Sequence, residues 1–163
     1  MKKDLLRIVP MTRSHIKTCD AIAAATDPWK TLNERVFFQQ YAALKQAYVC
    51  VAGDNAVGFI IFTQEPVFAR GGYLRALGVL PSMQRQGIGE KLLLFAEKLT
   101  ARNSQNNYLC VSDFNRKAQA FYKKQGYTKA GKLADLIVPG SSEYIYWKRL
   151  RPLSRKTRRA HRD

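Results

Sequence analysis

The sequence predicts an α/β (α+β) protein with about seven strands and about four helices in a single domain. Short runs of β-branched and aromatic residues alternate along the chain with segments in which apolar residues recur at helical spacing. The length of 163 residues is sufficient for one hydrophobic core but too short for two domains. Together these observations favour one domain built from strands and helices.

The N-terminal half is predicted to contain a strand, two helices and a β-hairpin. Pro28 excludes a continuous helix through the Thr26–Trp29 turn, so the two helices are separate. The predicted elements are a strand through Leu5, Ile8 and Val9 up to Pro10, a helix capped by Thr12 or Ser14, an amphipathic helix over residues 34–45, and hairpin strands over residues 48–52 and 57–62.

The C-terminal half is predicted to contain two strand–helix pairs and a final pair of antiparallel strands. Gly126 is well placed to end the last helix, because glycine is the preferred residue just after a helix C-terminus. The predicted elements are a strand over residues 73–79, a helix from the glycine turn to about Arg102, a strand over 108–112, a helix capped by Asn115, and strands over 128–133 and 143–150.

The turn that enters the third predicted helix has the chemistry of an anion site. It reads Val-Leu-Pro-Ser-Met-Gln-Arg-Gln-Gly-Ile-Gly over residues 79–89. A helix N-terminus presents unpaired N–H groups and the positive end of its dipole, and glycine lets a ligand approach the backbone closely. The alternative is a tight turn in which Gly87 and Gly89 serve packing only.

Two nucleotide-binding classes are excluded at this turn. The glycines are not followed by the Lys-Ser or Lys-Thr pair of a nucleoside-triphosphate P-loop. The turn also lacks a third glycine, and no acidic residue ends a strand about twenty positions further on, so the dinucleotide-binding motif fails as well.

The glycine turn contains the motif Gln84-x-x-Gly87-x-Gly89, and a second motif, Asn115-x-x-Ala118-x-x-Phe121-Tyr122, follows it about twenty-five residues later. The two motifs, in this order and spacing, resemble those of the GCN5-related N-acetyltransferase (GNAT) family. The resemblance covers roughly residues 5–150 and implies the GNAT acyl-CoA acyltransferase fold, a mixed, mostly antiparallel central sheet of about seven strands flanked by about four helices. Residues 1–150 are therefore expected to form a GNAT N-acetyltransferase domain.

The resemblance implies that the chain binds acetyl-CoA as the acetyl donor. In the family, the glycine turn cradles the pyrophosphate, the preceding strand pairs with the pantetheine arm, and a backbone N–H polarises the thioester carbonyl. The asparagine that caps the following helix commonly contacts the cofactor as well. The cofactor-binding residues expected on this basis are Leu77, Val79, Gln84, Arg85, Gln86, Gly87, Ile88, Gly89 and Asn115, and no metal is expected.

Tyr122 is the expected catalytic residue, as a general acid. By resemblance it occupies the position from which many GNAT enzymes protonate the departing sulfur. A phenol with a pKa of about 10 is protonated at neutral pH and can donate to a thiolate. The alternative is that Tyr122, like Phe121 and Ala118, is only a core residue at helical spacing.

No general base is assigned from the sequence. Many GNAT enzymes place a glutamate in the strand before the glycine turn, but residues 73–80 contain no acid. The acidic candidates are Glu65, Asp113 and Glu143, and simple surface solvation is the alternative for each of them. Deprotonation through ordered water, or in solution before binding, is a further alternative.

The expected activity is acetyl-CoA-dependent transfer, through a tetrahedral intermediate, to a primary amine of a protein N-terminus or a small metabolite. Trp29, Phe37 and Phe38 could line an apolar acceptor pocket, and core packing explains them as well. The Asp27-Pro28-Trp29 turn somewhat resembles that of ribosomal-protein alanine acetyltransferases, but three residues do not define a substrate. The positive net charge argues mildly against cationic acceptors such as polyamines and aminoglycosides.

The net charge of +16 is unevenly spread, since residues 148–163 contain eight Lys or Arg and one acid. Residues 151–163 are expected to form a basic, mobile tail that binds nucleic acid or an acidic surface, and a solvated extension without a partner is the alternative. The alternative function is a nucleic-acid- or ribosome-associated binding module in which the CoA site is a sensor or vestigial. A third hypothesis joins the two, with the tail docking the enzyme on ribosomal or transfer RNA.

The remaining features predict a soluble, cytoplasmic protein. No apolar run approaches the length of a membrane span, and Arg7 and Pro10 interrupt any signal-peptide core. The three cysteines lack metal-ligand spacing and are expected to be free thiols in a reducing compartment. No membrane partner is expected, and a homodimer is suggested by the family alone.

Overall fold

The computed structural model describes residues 6–152, which form seven strands and five helices. The strands are β1 (Arg7–Pro10), β2 (Ala47–Ala52), β3 (Asn55–Phe62), β4 (Gly71–Val79), β5 (Asn106–Ser112), β6 (Thr128–Ala134) and β7 (Ser142–Arg149). The helices are α1 (Arg13–Ala24), α2 (Trp29–Leu32), α3 (Phe38–Ala43), α4 (Ile88–Thr100) and α5 (Arg116–Lys124).

Part of the sequence-based prediction lies outside the described residues. This holds for Leu5 of the expected first strand and for residues 153–163 of the basic tail. The function proposed for the tail, the division into a domain and a tail, and the homodimer therefore stay predictions. No helix within residues 6–152 is both long enough and apolar enough to span a membrane.

All seven strands join one sheet in the order β1-β2-β3-β4-β5-β7-β6. Every neighbouring pair is antiparallel except β4 and β5, which run parallel. A parallel pair needs a crossover connection, and α4 supplies it between these two strands. The predicted mixed, mostly antiparallel sheet of seven strands is confirmed.

The two central strands pair at one end only. Within the described residues, the register between β4 and β5 ends at Leu74 and Leu109. Beyond that point β4 continues along β3 to Val79, and β5 continues along β7 to Ser112. The sheet therefore opens at its centre between residues 75–79 and residues 110–112, and this gap is termed the β4–β5 opening.

A hydrophobic core covers each face of the sheet. The α4/α5 face carries a cluster that includes Leu92, Tyr122 and Tyr146, and the α1/α3 face carries one that includes Cys19 and Phe59. Side chains alternate between the two faces along each strand. On each face of the sheet, the side chains beside the β4–β5 opening are therefore next to a packed hydrophobic cluster.

The segment between β1 and β2 differs from the prediction. The Thr26–Trp29 turn leads into the short helix α2, and α3 begins at Phe38 instead of residue 34. Asn33 ends α2 with a left-handed backbone (φ 51°), and residues 34–37, the first turn of the predicted helix, are not helical. Phe38 is 1 % exposed, whereas Phe37 and Leu44 are each 63 % exposed. Phe37 therefore precedes α3 and faces solvent, whereas Phe38 belongs to the core.

Candidate active site

The turn after β4 folds back onto the end of that strand. The Gln84 side-chain amide donates a hydrogen bond of 3.1 Å to the Val79 carbonyl oxygen. The backbone then takes left-handed conformations at Arg85 (φ 61°) and Gly87 (φ 81°) before α4 begins at Ile88. Gln84 thus anchors the turn through its side chain and holds the following backbone at the mouth of the β4–β5 opening.

The N–H groups of this turn are available to an anion. Within residues 6–152, the N–H groups of Arg85, Gln86 and Gly87 donate to no backbone carbonyl. The first N–H groups of α4 lack intrahelical partners, as in any helix. Left-handed residues in a turn make successive N–H groups converge into an anion-binding concavity. The exposed guanidinium of Arg85 adds positive charge, so the turn fits a pyrophosphate such as that of coenzyme A.

The two glycines of the turn serve different purposes. At Gly87 a Cβ would lie in open space, but the left-handed φ of 81° disfavours an L residue. At Gly89 a Cβ would come 3.6 Å from the Phe121 ring, which is an ordinary packing distance. Ile88 between them is 1 % exposed, so its side chain belongs to the core and only its backbone can reach a ligand. Gly87 therefore shapes the turn and leaves free space beside it.

The edge of β4 presents backbone groups to the β4–β5 opening at Leu77 and Val79. On the other edge, the Leu80 N–H donates to the Val57 carbonyl oxygen of β3. Since backbone groups alternate in direction along a strand, those of Leu77 and Val79 point away from β3. An extended amide-containing arm such as pantetheine can pair with such an edge as an added strand would.

Tyr122 packs on the α4/α5 face between two other aromatic rings. Its ring centroid lies 5.1 Å from that of Phe121 and 5.7 Å from that of Tyr127. Tyr122 is 7 % exposed, and burial raises the pKa of its phenol. A raised pKa keeps the hydroxyl protonated at neutral pH, as a general acid requires. This environment is compatible both with the proposed acid and with a plain core residue.

Asn115 caps α5, as the sequence predicts. Its side-chain oxygen accepts a hydrogen bond of 3.2 Å from the Ala118 N–H. The Gln119 side chain donates to the carbonyl oxygens of Ser112 and Asp113 at 3.2 and 2.9 Å, which fixes the start of α5 to the end of β5. A contact between Asn115 and the cofactor stays a prediction.

A polar cluster that sequence reasoning largely missed lies on the α1/α3 face of the opening. β4 places Tyr73 there, β5 places Cys110 and Ser112, and β7 places Glu143 opposite Ser112 in register. Burial raises the pKa of Tyr73, and neighbouring Cys110 and Glu143 raise it further. These residues come from three strands that are distant in sequence, so no local motif identifies them. The only available signal was strand alternation, which places Tyr73 on the face of the sheet opposite to that of the core residue Leu74.

The three acidic candidates for a general base lie in different surroundings. Glu65 is exposed and accepts a hydrogen bond of 2.7 Å from a neighbouring asparagine. Asp113 accepts hydrogen bonds from the Ser142 N–H and the Ser141 hydroxyl at 3.0 Å each, and these hold its pKa below the usual range. Glu143 is 7 % exposed, and burial raises its pKa. Only Glu143 combines burial with raised basicity.

Two of the three aromatic residues considered for an acceptor pocket belong to the core. Phe38 meets the Phe59 ring edge-on at 4.7 Å, and Trp29 lies 5.5 Å from the same ring. Phe37 alone of the three is exposed. Core packing, the alternative stated for these residues, therefore accounts for Trp29 and Phe38.

Comparison with solved structures finds the same fold in several proteins, one of them named as an N-acetyltransferase. Ard1 from Thermoplasma volcanium is 21 % identical, with a TM-score of 0.77 over 90 % of this chain and 99 % of that chain. The ribosomal-protein-S18-alanine N-acetyltransferase from Escherichia coli is 17 % identical, with a TM-score of 0.73 over 93 % of this chain and 97 % of that one. Arabidopsis thaliana Naa50, in complex with the bisubstrate analogue CoA-Ac-MVNAL, is 20 % identical, with a TM-score of 0.71 over 88 % and 97 %.

Sequence comparison identifies the family. A search of curated proteins finds no match. The family model described as "Acetyltransferase (GNAT) family" matches residues 15–127, which include both motifs and the β4–β5 opening. Because this match spans well over half of the sequence, the chain belongs to the GNAT acetyltransferase family.

Proposed function

We propose that the protein is an N-acetyltransferase that moves the acetyl group of acetyl-CoA to a primary amine. The observation that carries this proposal is the position of residues 84–89 directly beside the open edge of β4. The turn offers N–H groups to a pyrophosphate, and the strand edge offers backbone groups to an extended arm. The turn and the strand edge together suit acetyl-CoA, which carries both a pyrophosphate and an extended amide-containing arm.

Acetyl-CoA supplies an activated acetyl group as a thioester, and the residues of this chain hold and orient it. The N–H groups of Arg85, Gln86 and Gly87 bind the pyrophosphate. The backbone of Leu77 and Val79 pairs with the pantetheine arm. The Val79 N–H is the donor available to the thioester oxygen, where it stabilises the negative charge that develops during transfer.

Tyr122 donates its proton to the departing sulfur. The raised pKa keeps the phenol protonated at neutral pH, so its proton is in place when negative charge develops on the sulfur beside it. The surrounding rings of Phe121 and Tyr127 fix the orientation of Tyr122 without a charged neighbour that would remove the proton.

One observation favours the α-amine of a peptide as the acceptor, and a second favours a cationic amine of either acceptor class. The similar structures include an enzyme named for alanine N-acetylation of a ribosomal protein, and a complex with an analogue that joins CoA to the peptide MVNAL. In this chain, the charges of Asp113 and Glu34 add to the rise in the pKa of Glu143, so the surroundings of Glu143 are acidic. Carboxylates attract an ammonium group. A small-metabolite amine is the second acceptor class.

Calorimetric titration with acetyl-CoA tests the donor site. The native protein should bind saturably, and Gly87→Trp should bind about tenfold or more weakly because the indole fills the space beside the turn. Gly53→Trp is the matched control, since Gly53 also combines a left-handed φ (60°) with open space but lies between β2 and β3. Absence of binding by the folded native protein, or equal weakening by both substitutions, would overturn the proposed donor site.

Release of free thiol from acetyl-CoA, followed with defined amines, tests the transfer. The probes are pentapeptides that differ in their first residue, including Met-Val-Asn-Ala-Leu, the same peptides with blocked N-termini, spermidine and kanamycin. Acetylation of free N-termini alone supports the peptide acceptor, and acetylation of spermidine or kanamycin alone replaces it with a small-molecule acceptor. A protein that binds acetyl-CoA but acetylates none of these amines would contradict the N-acetyltransferase proposal.

A further inference from the structure

We propose that Glu143 is the general base that takes a proton from the acceptor amine, a role that rests on the proposed N-acetyltransferase function. Glu143 is the second residue of β7. Its neighbours Tyr144 and Tyr146 contact the α4/α5 core, so alternation along the strand puts Glu143 on the α1/α3 face. Glu143 therefore lies across the β4–β5 opening from the side that carries Tyr122.

A second buried glutamate shows how this fold stabilises a carboxylate that has a structural role. Glu97 and Glu143 are each 7 % exposed. Lys148 Nζ donates to both oxygens of Glu97, at 3.0 and 2.8 Å. This is the only ion pair within residues 6–152, so Glu143 has no equivalent cation there. A buried carboxylate without a cation is unfavourable for folding, which indicates that Glu143 is kept for another reason.

Ser112, the residue opposite Glu143, is weakly hydrogen-bonded. It is 1 % exposed, and its hydroxyl has no partner of normal hydrogen-bond geometry within residues 6–152, although it lies close enough to Glu143 to lower the pKa of that carboxyl. Buried polar groups in native structures are normally well hydrogen-bonded, so this hydroxyl can take a further partner. An amine that binds beside Ser112 and Glu143 would form hydrogen bonds with both side chains.

The groups that face Glu143 come from every element packed around it. Burial raises the pKa of Glu143, hydrogen bonding from the Ser112 hydroxyl opposes this rise, and the charges of Asp113 and Glu34 add to it. Two further groups, Tyr73 on β4 and Cys110 on β5, are neutral at pH 7 because burial raises the pKa of each. Two cations in this region, Arg75 and Lys132, act on other groups. Arg75 lowers the pKa of Tyr73, and Lys132 lowers the pKa of Asp113.

The other two acidic candidates do not meet the chemical requirement. A general base must be ionised and free to accept a proton, and its pKa should lie toward the working pH. Asp113 uses its oxygens to hold the turn before β7, which lowers its pKa. Glu65 lies in the loop before β4 and accepts from Asn103 beyond α4. Glu143 alone has a carboxylate that is buried, more basic than usual and not engaged by a cation.

The proton balance of the step follows from these positions. The Glu143 carboxylate accepts one proton from the acceptor ammonium and leaves a neutral amine. The amine nitrogen then forms a bond to the acetyl carbon and gives a tetrahedral intermediate. When this intermediate collapses, the carbon–sulfur bond breaks and Tyr122 gives its proton to the sulfur. The nitrogen loses its second proton, which restores Tyr122 through solvent. Glu143 releases its own proton to solvent, so one proton is liberated per acetyl group transferred.

The test is a pH profile of acetyl transfer by Glu143→Gln, with the peptide acceptor that the native protein accepts. At neutral pH we expect kcat to fall by about 10²–10⁴-fold, the range typical of general bases. The loss should shrink as pH rises, because a larger fraction of the amine is then already neutral. Glu143→Asp should recover part of the rate, since it keeps a carboxylate. Affinity for acetyl-CoA should not change in either variant.

Glu65→Gln is the matched control, because it makes the same chemical change at the exposed candidate and should leave the profile unchanged. If Glu143→Gln keeps the native kcat and pH profile, the Glu143 proposal is wrong while the N-acetyltransferase proposal stands. A loss that is equal at every pH, or that is accompanied by weaker acetyl-CoA binding, would assign Glu143 a structural role instead. If the native protein acetylates no amine, both proposals fall together.

Discussion

The two faces of the β4–β5 opening are built from different parts of the chain. On the α4/α5 face, the proposed donor site consists mainly of backbone groups from one contiguous segment, residues 77–89. On the α1/α3 face, the polar cluster consists of side chains from β4, β5 and β7. A backbone site depends on local φ values and strand pairing, whereas a side-chain site depends on tertiary packing. In the proposed function, the first binds the donor and the second receives the acceptor.

The largest effect is expected for a substitution of Tyr122, the proposed catalytic side chain of the α4/α5 face. Tyr122→Phe removes only the hydroxyl, and general-acid loss should lower kcat by about 10²–10⁴-fold. The fold should be unaffected because the ring and its contacts with Phe121 and Tyr127 remain. Steady-state kinetics with the accepted amine, together with acetyl-CoA titration, provide the measurement.

Tyr127→Phe is the matched control for that experiment. The Tyr127 hydroxyl accepts a hydrogen bond of 2.9 Å from the Asn107 side chain in the buried core. Its removal leaves a buried amide without an acceptor, so we expect a loss of stability of about 1–3 kcal/mol and a nearly native kcat. Native kcat in Tyr122→Phe would show that Tyr122 is a core residue only.

The difference between the two faces also explains what could be predicted from the sequence. The donor side follows from local order, because the strand, Gln84, Gly87 and the start of α4 are adjacent in the chain. Asn115 and Tyr122 follow from a second local motif on α5. Local patterns of this kind can be recognised without knowing how the sheet is assembled.

The acceptor side could not be predicted, because it depends on which strands become neighbours. Ser112 and Glu143 meet only because β7 inserts between β5 and β6, a strand order that hydrophobic patterns do not specify. The exposure of Phe37 could not be predicted for a related reason. Residues 34–37 lie outside α3, and helical spacing predicts burial only for residues that are in a helix.

The structural carboxylate of the α4/α5 face provides the next prediction. Lys148→Met leaves Glu97 buried without its cation, and we expect a loss of about 1.5–3 kcal/mol, the contribution of hydrogen bonds to a charged group. Urea unfolding measures the change. Lys129→Met on the edge strand β6 is the control, because Lys129 is exposed and lies over the Tyr144 ring, where the contribution is about 0.5–1 kcal/mol. Equal losses would mean that burial of Glu97 contributes nothing special.

Two glycines distinguish packing from ligand binding on the donor side. A Cβ at Gly78 would come 2.6 Å from the Phe59 ring, which is itself fully buried, so Gly78→Ala should cost about 1–3 kcal/mol through overpacking. Gly87→Ala meets no atom, and the left-handed backbone should cost about 1–2 kcal/mol. Of the two, Gly87→Ala should weaken acetyl-CoA binding more for a given loss of stability. The opposite ranking in paired unfolding and titration experiments would place the ligand nearer to Gly78.

The smallest expected effect is a difference in thermal stability between variants of the two buried glutamates, Glu143 and Glu97. Burial raises the pKa of Glu143 in the folded state, so its contribution to stability is fully present below the unfolded pKa and is lost as pH rises through the folded pKa. Glu143→Gln should therefore match the native protein at low pH and exceed it at neutral pH, with a Tm gain of about 1–3 °C. Glu97→Gln should instead lose stability at neutral pH, because it weakens the pair with Lys148. Thermal unfolding of both variants at several pH values gives the answer. A neutral-pH loss in Glu143→Gln as large as that in Glu97→Gln would mean that Glu143, too, is held by the fold and not kept for an incoming amine.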